Sequence, residues 1–314
     1  MHYMYEIEAF LAKAKNPVQL VKNHHELTKK AKEKDLTWPA IVQIKYDGVY
    51  CMAIRDVDGV LEFFSRTGNK FFIGAALLCK LGEIVPQEPG VYIGELVNDY
   101  ISLERLSGYV NTNRKTPWAP EDTAAMLHSY IMFHDHLTLT ELQEGRSMRR
   151  YKTRYAHLAW ALGGNLYLVE SHNCYTTFDF EQFAEQAIER GHEGAVRKEI
   201  TATWIAGHKG YRTTKIVRGI SADLECVGVV IGEGKFDGLI AGLDFMWKGK
   251  RFTAGLGKGW DVDTMKVHTA AWQEDESNVI GQIWKVTALQ ESSKGVLRLP
   301  KVGEMRIDKE QADK

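Results

Sequence analysis

The sequence predicts an α+β protein in which a larger domain of mainly antiparallel sheets is followed by a small β-barrel. Three observations carry this expectation. Short alternating runs of β-branched and aromatic residues recur in the earlier part of the chain, and Asp58-Gly59 between residues 49–55 and 60–65 is a hairpin signal. Segments with helical spacing lie around those runs, at 6–15, 18–34, 141–162 and 178–190. After Gly219 the pattern changes to short strands and glycine turns, at 223–232, 240–248, 251–255 and 281–290, with a helix near 262–275. The expected domains are therefore residues 1–219 and 220–314.

A chain of 314 residues is long enough to bury one large and one small core. A formal charge of −1 excludes a uniformly basic nucleic-acid binder, so any such partner would need a local basic surface. Cys51, Cys79, Cys174 and Cys226 are far apart without a Cys-x-x-Cys pair, which disfavours a zinc ribbon or disulfide scaffold and fits a reducing cytoplasm. Acids stand near the N-terminus where a signal peptide would carry bases, and no apolar run is long enough for a bilayer, so no membrane association is expected. The sequence has no internal repeat and no low-complexity segment.

Taken in order, residues 18–34 place Leu20, Val21 and Leu27 on one side of an expected helix, and Lys29, Lys30, Lys32 and Lys34 towards its end, where cations complement the dipole. Residues 40–44 follow Pro39 as a strand that delivers Lys45 just before the Asp47-Gly48 turn. A lysine held at such a junction among apolar side chains is disfavoured as an ammonium, so its amine can become a nucleophile; the other reading of Lys-x-Asp-Gly is a solvated turn. Arg66, beside the next turn, is placed to meet an anion. Residues 90–97 form an apolar strand carrying Glu95, a carboxylate that is costly unless it binds a ligand, a metal or a base.

Residues 129–133 form another strand, in which Tyr130 and Phe133 are stacking surfaces for a base. The following His134-Asp135-His136 does not read as a metal site, because strand neighbours point to opposite faces and no third ligand is suitably spaced. The segment 141–162 carries Arg146, Arg149, Arg150, Lys152 and Arg154, either a solvated helical face or a surface for DNA phosphates. The helix at 178–190 has Asp179 as its expected cap and Gly191 as its stop. Glu193 and Lys198 bracket a short strand and lie on opposite faces unless it bends or one sits at its end. With the basic strand 210–218 they suggest a polyanion such as a triphosphate. The remaining strands suit a small Greek-key barrel of the oligonucleotide-binding type. Gly255-Leu-Gly-Lys-Gly259 lacks the Gly-Lys-Ser/Thr ending of a P-loop and reads as a turn.

The order of these pieces resembles the ATP-dependent DNA ligases of the covalent nucleotidyltransferase superfamily. Lys45-Tyr-Asp47-Gly48 is followed by Ser65-Arg66-x-Gly68, Gly94-Glu95-Leu96, an aromatic-rich strand ending near Asp135, Glu193-Gly-x-Val-x-Lys198, Lys215, and Arg306-x-Asp308-Lys309. The length, with the Gly-His-Glu-Gly and Leu-Arg-x-Pro contexts, is most similar to the small two-domain ligases of T7-type bacteriophages. The resemblance implies an ATP-grasp-like nucleotidyltransferase domain, here 1–219, and an OB-fold domain, here 220–314.

It further implies the sealing of 5′-phosphate/3′-hydroxyl nicks in duplex DNA through a lysyl-AMP intermediate and a DNA-adenylate. Lys45 would be the adenylated nucleophile, with Asp47 and Arg66 in the catalytic set. Gln43, Ile44, Glu95, Tyr130 or Phe133, Lys198 and Lys215 would contact the nucleotide, and Glu193 and Glu95 would hold Mg²⁺. Arg306 and Lys309 would swing from the barrel to orient pyrophosphate. ATP, Mg²⁺ and nicked duplex DNA are the implied cofactors and partners, and a monomer in the cytoplasm suits an enzyme that wraps DNA. Three positions depart from the family pattern: Tyr50 stands where Arg is usual, Ile93 where an acid is common, and Thr213 where a lysine is expected, with neighbouring Arg212 as the compensating base. The remaining alternatives are an RNA ligase, an mRNA-capping guanylyltransferase, or a non-catalytic nick- or single-strand-binding module.

Overall fold

A computed structural model describes residues 2–24, 27, 36–164, 166–257, 259–288, 290–291, 295–309 and 311–313. The chain divides into two compact units, Met1–Val217 and Arg218–Lys314. Its architecture is mixed α+β, with mainly antiparallel sheets and a closed barrel of five strands in the second unit.

The first unit runs α1 (His2–Lys13), β1 (Leu20–Asn23), β2 (Ala40–Lys45), β3 (Val49–Arg55), β4 (Leu61–Phe64), α2 (Ala75–Ile84), β5 (Gly90–Val97), α3 (Leu103–Val110), α4 (Pro120–Met126) and β6 (Tyr130–Leu137). It continues with α5 (Leu139–Gln143), β7 (Arg146–Ser147), α6 (Tyr151–Ala161), β8 (Ser171–Cys174), α7 (Thr177–Glu189), β9 (Gly194–Glu199), β10 (Trp204–Ile205) and β11 (Lys209–Val217). One sheet has the order β1-β11-β9-β2-β8 and another the order β4-β3-β5-β6. The β1/β11 pair is parallel, whereas the other pairings of these two sheets are antiparallel.

Each sheet buries an apolar face because its side chains alternate. Cys51, Ala53, Tyr92, Ile131 and Phe133 of one sheet pack against Leu77, Leu81, Leu106 and Leu158 of the helices. Val42, Ile44, Ala195 and Ile216 of the other pack against Phe180, Phe183, Ala184 and Ala187 of α7.

Three local expectations differ from what is observed. Residues 20–23 are a strand, not part of a helix, because the edge of β11 is available to them and Lys22 lies 4.2 Å above the Tyr211 ring. Lys29, Lys30, Lys32 and Lys34 lie outside the described residues. The segment 141–162 is broken into α5, β7 and α6, since Arg146 and Ser147 leave the helical path to pair with Ile205 and Trp204. The cap of α7 is Thr176, whose hydroxyl accepts from the Asp179 N–H at 3.1 Å while the Asp179 carboxylate accepts from the Thr176 N–H at 3.0 Å.

The second unit contains β12 (Ile220–Ile231), β13 (Ile240–Trp247), β14 (Lys250–Leu256), α8 (Val262–Glu274), β15 (Ile283–Ala288), β16 (Gln290–Glu291), β17 (Leu297–Arg298) and β18 (Lys301–Met305). Its barrel closes in the order β12-β13-β14-β18-β15 around Trp284, Phe245, Leu243, Val286 and Val302. The closing strand β18 was not among the strands expected from sequence. It pairs parallel with β14 and antiparallel with β15, and this pairing brings Arg306 to the barrel wall, where its N–H donates to the Ile283 carbonyl at 2.7 Å.

Candidate functional site

Lys45 ends β2 opposite Gly194, the first residue of β9. Glu193 therefore sits just before β9, which frees its side chain from strand alternation with Lys198. Its N–H donates to the Lys45 carbonyl at 3.1 Å, and the Lys45 Nζ donates to its Oε2 at 2.5 Å. Two glycines make this junction possible. Gly194 has φ +145° and lies so close to Ile216 that a Cβ would collide with its carbonyl oxygen. A Cβ on Gly48 would stand 2.6 Å from the Leu96 carbonyl oxygen and 3.1 Å from the Glu95 Cβ, so the Asp47-Gly48 turn fits only without a side chain at Gly48.

The electrostatics of Lys45 reverse the expectation drawn from apolar surroundings. Burial does press its pKa down, but Glu95, Glu193 and Asp47 outweigh burial and leave it raised. The resting amine is thus an ammonium held by acids. Glu95 is the complementary case: burial pushes its carboxyl up to about 7, against the pull of Lys45 and Arg66 and with the help of Glu193 and Asp47. Tyr50 pairs directly with Glu95 across β3 and β5, so both side chains share a face. Burial, Asp135 and Glu95 push the Tyr50 phenol well up, so the ring beside Glu95 is neutral.

Arg66 projects exposed from the Ser65–Asn69 turn and acts electrostatically on Tyr50, Glu95 and Lys215. Lys215, on β11 opposite Val196 of β9, has its pKa lowered by burial and by Lys45. Thr213 lies on the same face of β11 as Lys215, but Arg212 lies on the other, with its Nε 3.9 Å from Glu199. Arg212 therefore does not replace the expected lysine.

Lys198 donates to the His134 Nδ1 at 3.1 Å and the His134 carbonyl at 3.2 Å, lies 4.7 Å from the Tyr151 ring centroid and 3.8 Å from Asp135. Burial lowers its pKa to about 8, partly offset by Asp135. Asp135 is clamped by Arg154 through bonds of 2.9 and 3.1 Å; burial works against its ionised form, but Arg154 and Lys198 hold its pKa at about 2. Arg154 is 1 % exposed, so it is neither a solvated base nor a DNA-phosphate contact. It belongs to the buried stripe Tyr151, Arg154, Leu158, whose helical spacing is a signal present in the sequence.

Of the two stacking residues expected, Phe133 is completely buried in the core beside Tyr92, because it shares the inward face of β6 with Ile131. Tyr130 packs beside Tyr46 and Val97 and donates to Asp99 at 3.0 Å. The ring of that segment that stands beside Lys198 is His134, 6.2 Å from the Tyr50 ring. A register shift between Ile93 and Gly94 skips His134 in the β5/β6 pairing, and nothing in the sequence pattern announces it. Gln43 is buried, and its amide donates to the His134 carbonyl at 3.4 Å. The Ile44 side chain lies in the core against α7, leaving only its backbone for any contact, and its N–H already donates to the Glu170 carbonyl at 3.1 Å.

On the barrel, Arg306 and Lys309 are not bare cations. Arg306 donates to Asp308 at 2.9 and 2.8 Å and to Asp223 at 2.6 Å, and Lys309 meets Asp223 at 2.5 Å and Asp313 at 3.3 Å.

Among the described residues no three His, Cys, Asp or Glu side chains gather as a metal cage. Glu95 and Glu193 suit Mg²⁺ as a pair of hard oxygen ligands, since that ion commonly takes one or two carboxylates and completes its shell with phosphates and water.

An amine set between two acids, with lysines on adjoining strands and an arginine at a turn, is equipment for handling a polyphosphate. The fold and this set define a nucleotidyltransferase-type α+β domain followed by an OB-type barrel. Residues 18–216 match the model of the ATP dependent DNA ligase domain, and the chain belongs to that family. No curated protein matches the chain. Among solved structures it is similar to Pmar-Lig_Pre, with a TM-score of 0.74 and 20% identity over 92% of this chain and 67% of that one. A structure described under DNA binding with a minimal scaffold by Lig E DNA ligases gives a TM-score of 0.68 and 17% identity, covering 92% and 98% of the two chains. The ATP-dependent DNA ligase from bacteriophage T7 in complex with ATP gives 0.51 and 19%, again covering 92% and 98%. At these identities the likeness is one of fold.

Proposed function

We propose that this ligase seals 5′-phosphate/3′-hydroxyl nicks in duplex DNA through a lysyl-AMP on Lys45. The observation that carries the reading is the Lys45–Glu193 contact of 2.5 Å beside Glu95, with Lys198 and Lys215 on the adjoining strands. Lys45 must lose a proton before it can attack, and the Glu193 carboxylate is the nearest acceptor. The amine then attacks the α-phosphorus of ATP, forming the N–P bond as the bond to the β-phosphate oxygen breaks and pyrophosphate leaves. Lys198 and Lys215 bind the phosphate oxygens, Arg66 meets the nick phosphate, and Arg306 and Lys309 orient the leaving pyrophosphate.

Next, the 5′-phosphate of the nick attacks the adenylate phosphorus, the N–P bond breaks and the amine regains its proton. The 3′-hydroxyl finally attacks the activated 5′-phosphate, loses its proton and releases AMP. Tyr50 and His134 line the nucleotide's surroundings, with Asp135 and Arg154 positioning Lys198. Mg²⁺, held by Glu193 and Glu95 together with the phosphates, would supply charge neutralisation. We assign residues 1–219 to adenylation and 220–314 to the barrel that acts with it; a monomer in the cytoplasm suits this cycle.

The test is to mix the protein with Mg²⁺ and α-labelled ATP or GTP, denature it, and then repeat with nicked DNA. Label retained from ATP, released to the nick, and absent in a folded Lys45→Ala variant is the expected result. Normal labelling of Lys45→Ala would overturn the nucleophile, and label from GTP alone would move the reaction to capping chemistry.

A further inference from the structure

On the barrel, Arg306 and Lys309 are held by three carboxylates, Asp223, Asp308 and Asp313, to which the reaction outlined above gives no part. Asp223 lies on β12, opposite Lys285 of β15, and its side chain is only 9 % exposed. It meets Arg306 at 2.6 Å and Lys309 at 2.5 Å, whereas the side chains of those two cations are 24 % and 34 % exposed. Asp223 is itself held in place, for its N–H donates to the Asp313 carboxylate and its carbonyl accepts from the Asp313 N–H, both at 2.7 Å. Asp308 and Asp313 complete the cluster at 2.8 and 3.3 Å from Arg306 and Lys309. Three carboxylates thus hold two cations. A phosphate oxygen that approaches either cation competes with these carboxylates for it, and the one shared by both is fixed to the strand.

We propose that Asp223 is a positioning residue that stores Arg306 and Lys309 on the barrel and competes with the nucleotide's phosphates for them. The inference rests on the reading that these two residues act on pyrophosphate during adenylation. Asp223 sets how much nucleotide is needed to draw them off, and it takes them back once pyrophosphate has left. An amide at this position keeps a polar partner for the cations but removes the competing charge.

The experiment measures single-turnover labelling by α-labelled ATP with Mg²⁺ in the full chain. It compares wild type, Asp223→Asn, Arg306→Ala with Lys309→Ala, and the triple variant, each checked for folding by its unfolding transition. The expected result is that Asp223→Asn labels roughly three- to tenfold faster at limiting ATP and little faster at saturating ATP, a change in KM and not in kcat. In the background lacking both cations the same substitution has no effect, the non-additivity that direct coupling requires. Asp223→Glu, which restores the charge, returns the limiting-ATP rate towards wild type. If Asp223→Asn is unchanged or slower while loss of the cations slows labelling, storage is overturned and the role of Arg306 and Lys309 stands. If loss of the cations has no effect either, that role falls and the storage inference falls with it.

Discussion

Glu95 is where pH acts most directly on this protein. Its carboxyl titrates near 7 in the folded chain, because burial outweighs Lys45 and Arg66, against an ordinary value of 4.5. A raised carboxyl binds its proton more tightly when folded, so its contribution to stability is fully present below the ordinary value and is lost as pH rises through about 7. Replacing it by Gln removes that dependence. Thermal unfolding of wild type and Glu95→Gln should therefore diverge with pH, the variant gaining on the order of 1–3 kcal/mol relative to wild type between about pH 5 and 8. A difference that stays flat across that range would show that Glu95 is ionised throughout. Burial is thus what raises Glu95, whereas the neighbouring acids keep Lys45 charged in spite of burial.

At the scale of elements, α7 is the support beneath the reaction centre. Phe180, Phe183, Ala184 and Ala187 on its buried face pack against Val42 and Ile44 of β2 and Ala195 of β9, the strands that bring Lys45 and Glu193 together. The Thr176–Asp179 capping box satisfies backbone donors at the start of that helix. Thr176→Ala should lower stability by about 1 kcal/mol, read as a shift in denaturant midpoint, while adenylation under native conditions is unchanged. A lowered labelling rate with an unshifted midpoint would mean that the cap tunes the site and not the helix.

For the whole molecule, each unit has a core of its own. Residues Met1–Val217 contain the clusters around Phe63, Tyr92 and Phe133 and around Ile44 and Phe180. The barrel closes around Trp284 and Phe245. A chain ending at Val217 should therefore keep a cooperative unfolding transition, yet take up no label from ATP, because Arg306 and Lys309 are gone. Unimpaired adenylation by the folded truncated protein would contradict their part in the first step. Among the described residues no helix is long and apolar enough to cross a membrane.

What the sequence determined by itself was local. Alternation and the Asp58-Gly59 turn marked β3 and β4, the change of pattern after Gly219 marked the barrel, and the order of short motifs singled out Lys45, Glu95 and Glu193. Tertiary structure decided which side chains meet. It put Phe133 in the core and His134 beside Lys198, turned Arg154 from an expected surface base into the buried partner of Asp135, and added β18 to close the barrel. It also set the sign of the Lys45 shift and gave Arg306 its counter-ion. The reason is one of range: turns, caps and periodicity arise from neighbouring residues, whereas Lys45 meets Glu193 across 148 positions and Arg306 meets Asp223 across 83. Coulombic interaction and burial depend on distance in space, which the spacing of residues along a chain does not contain.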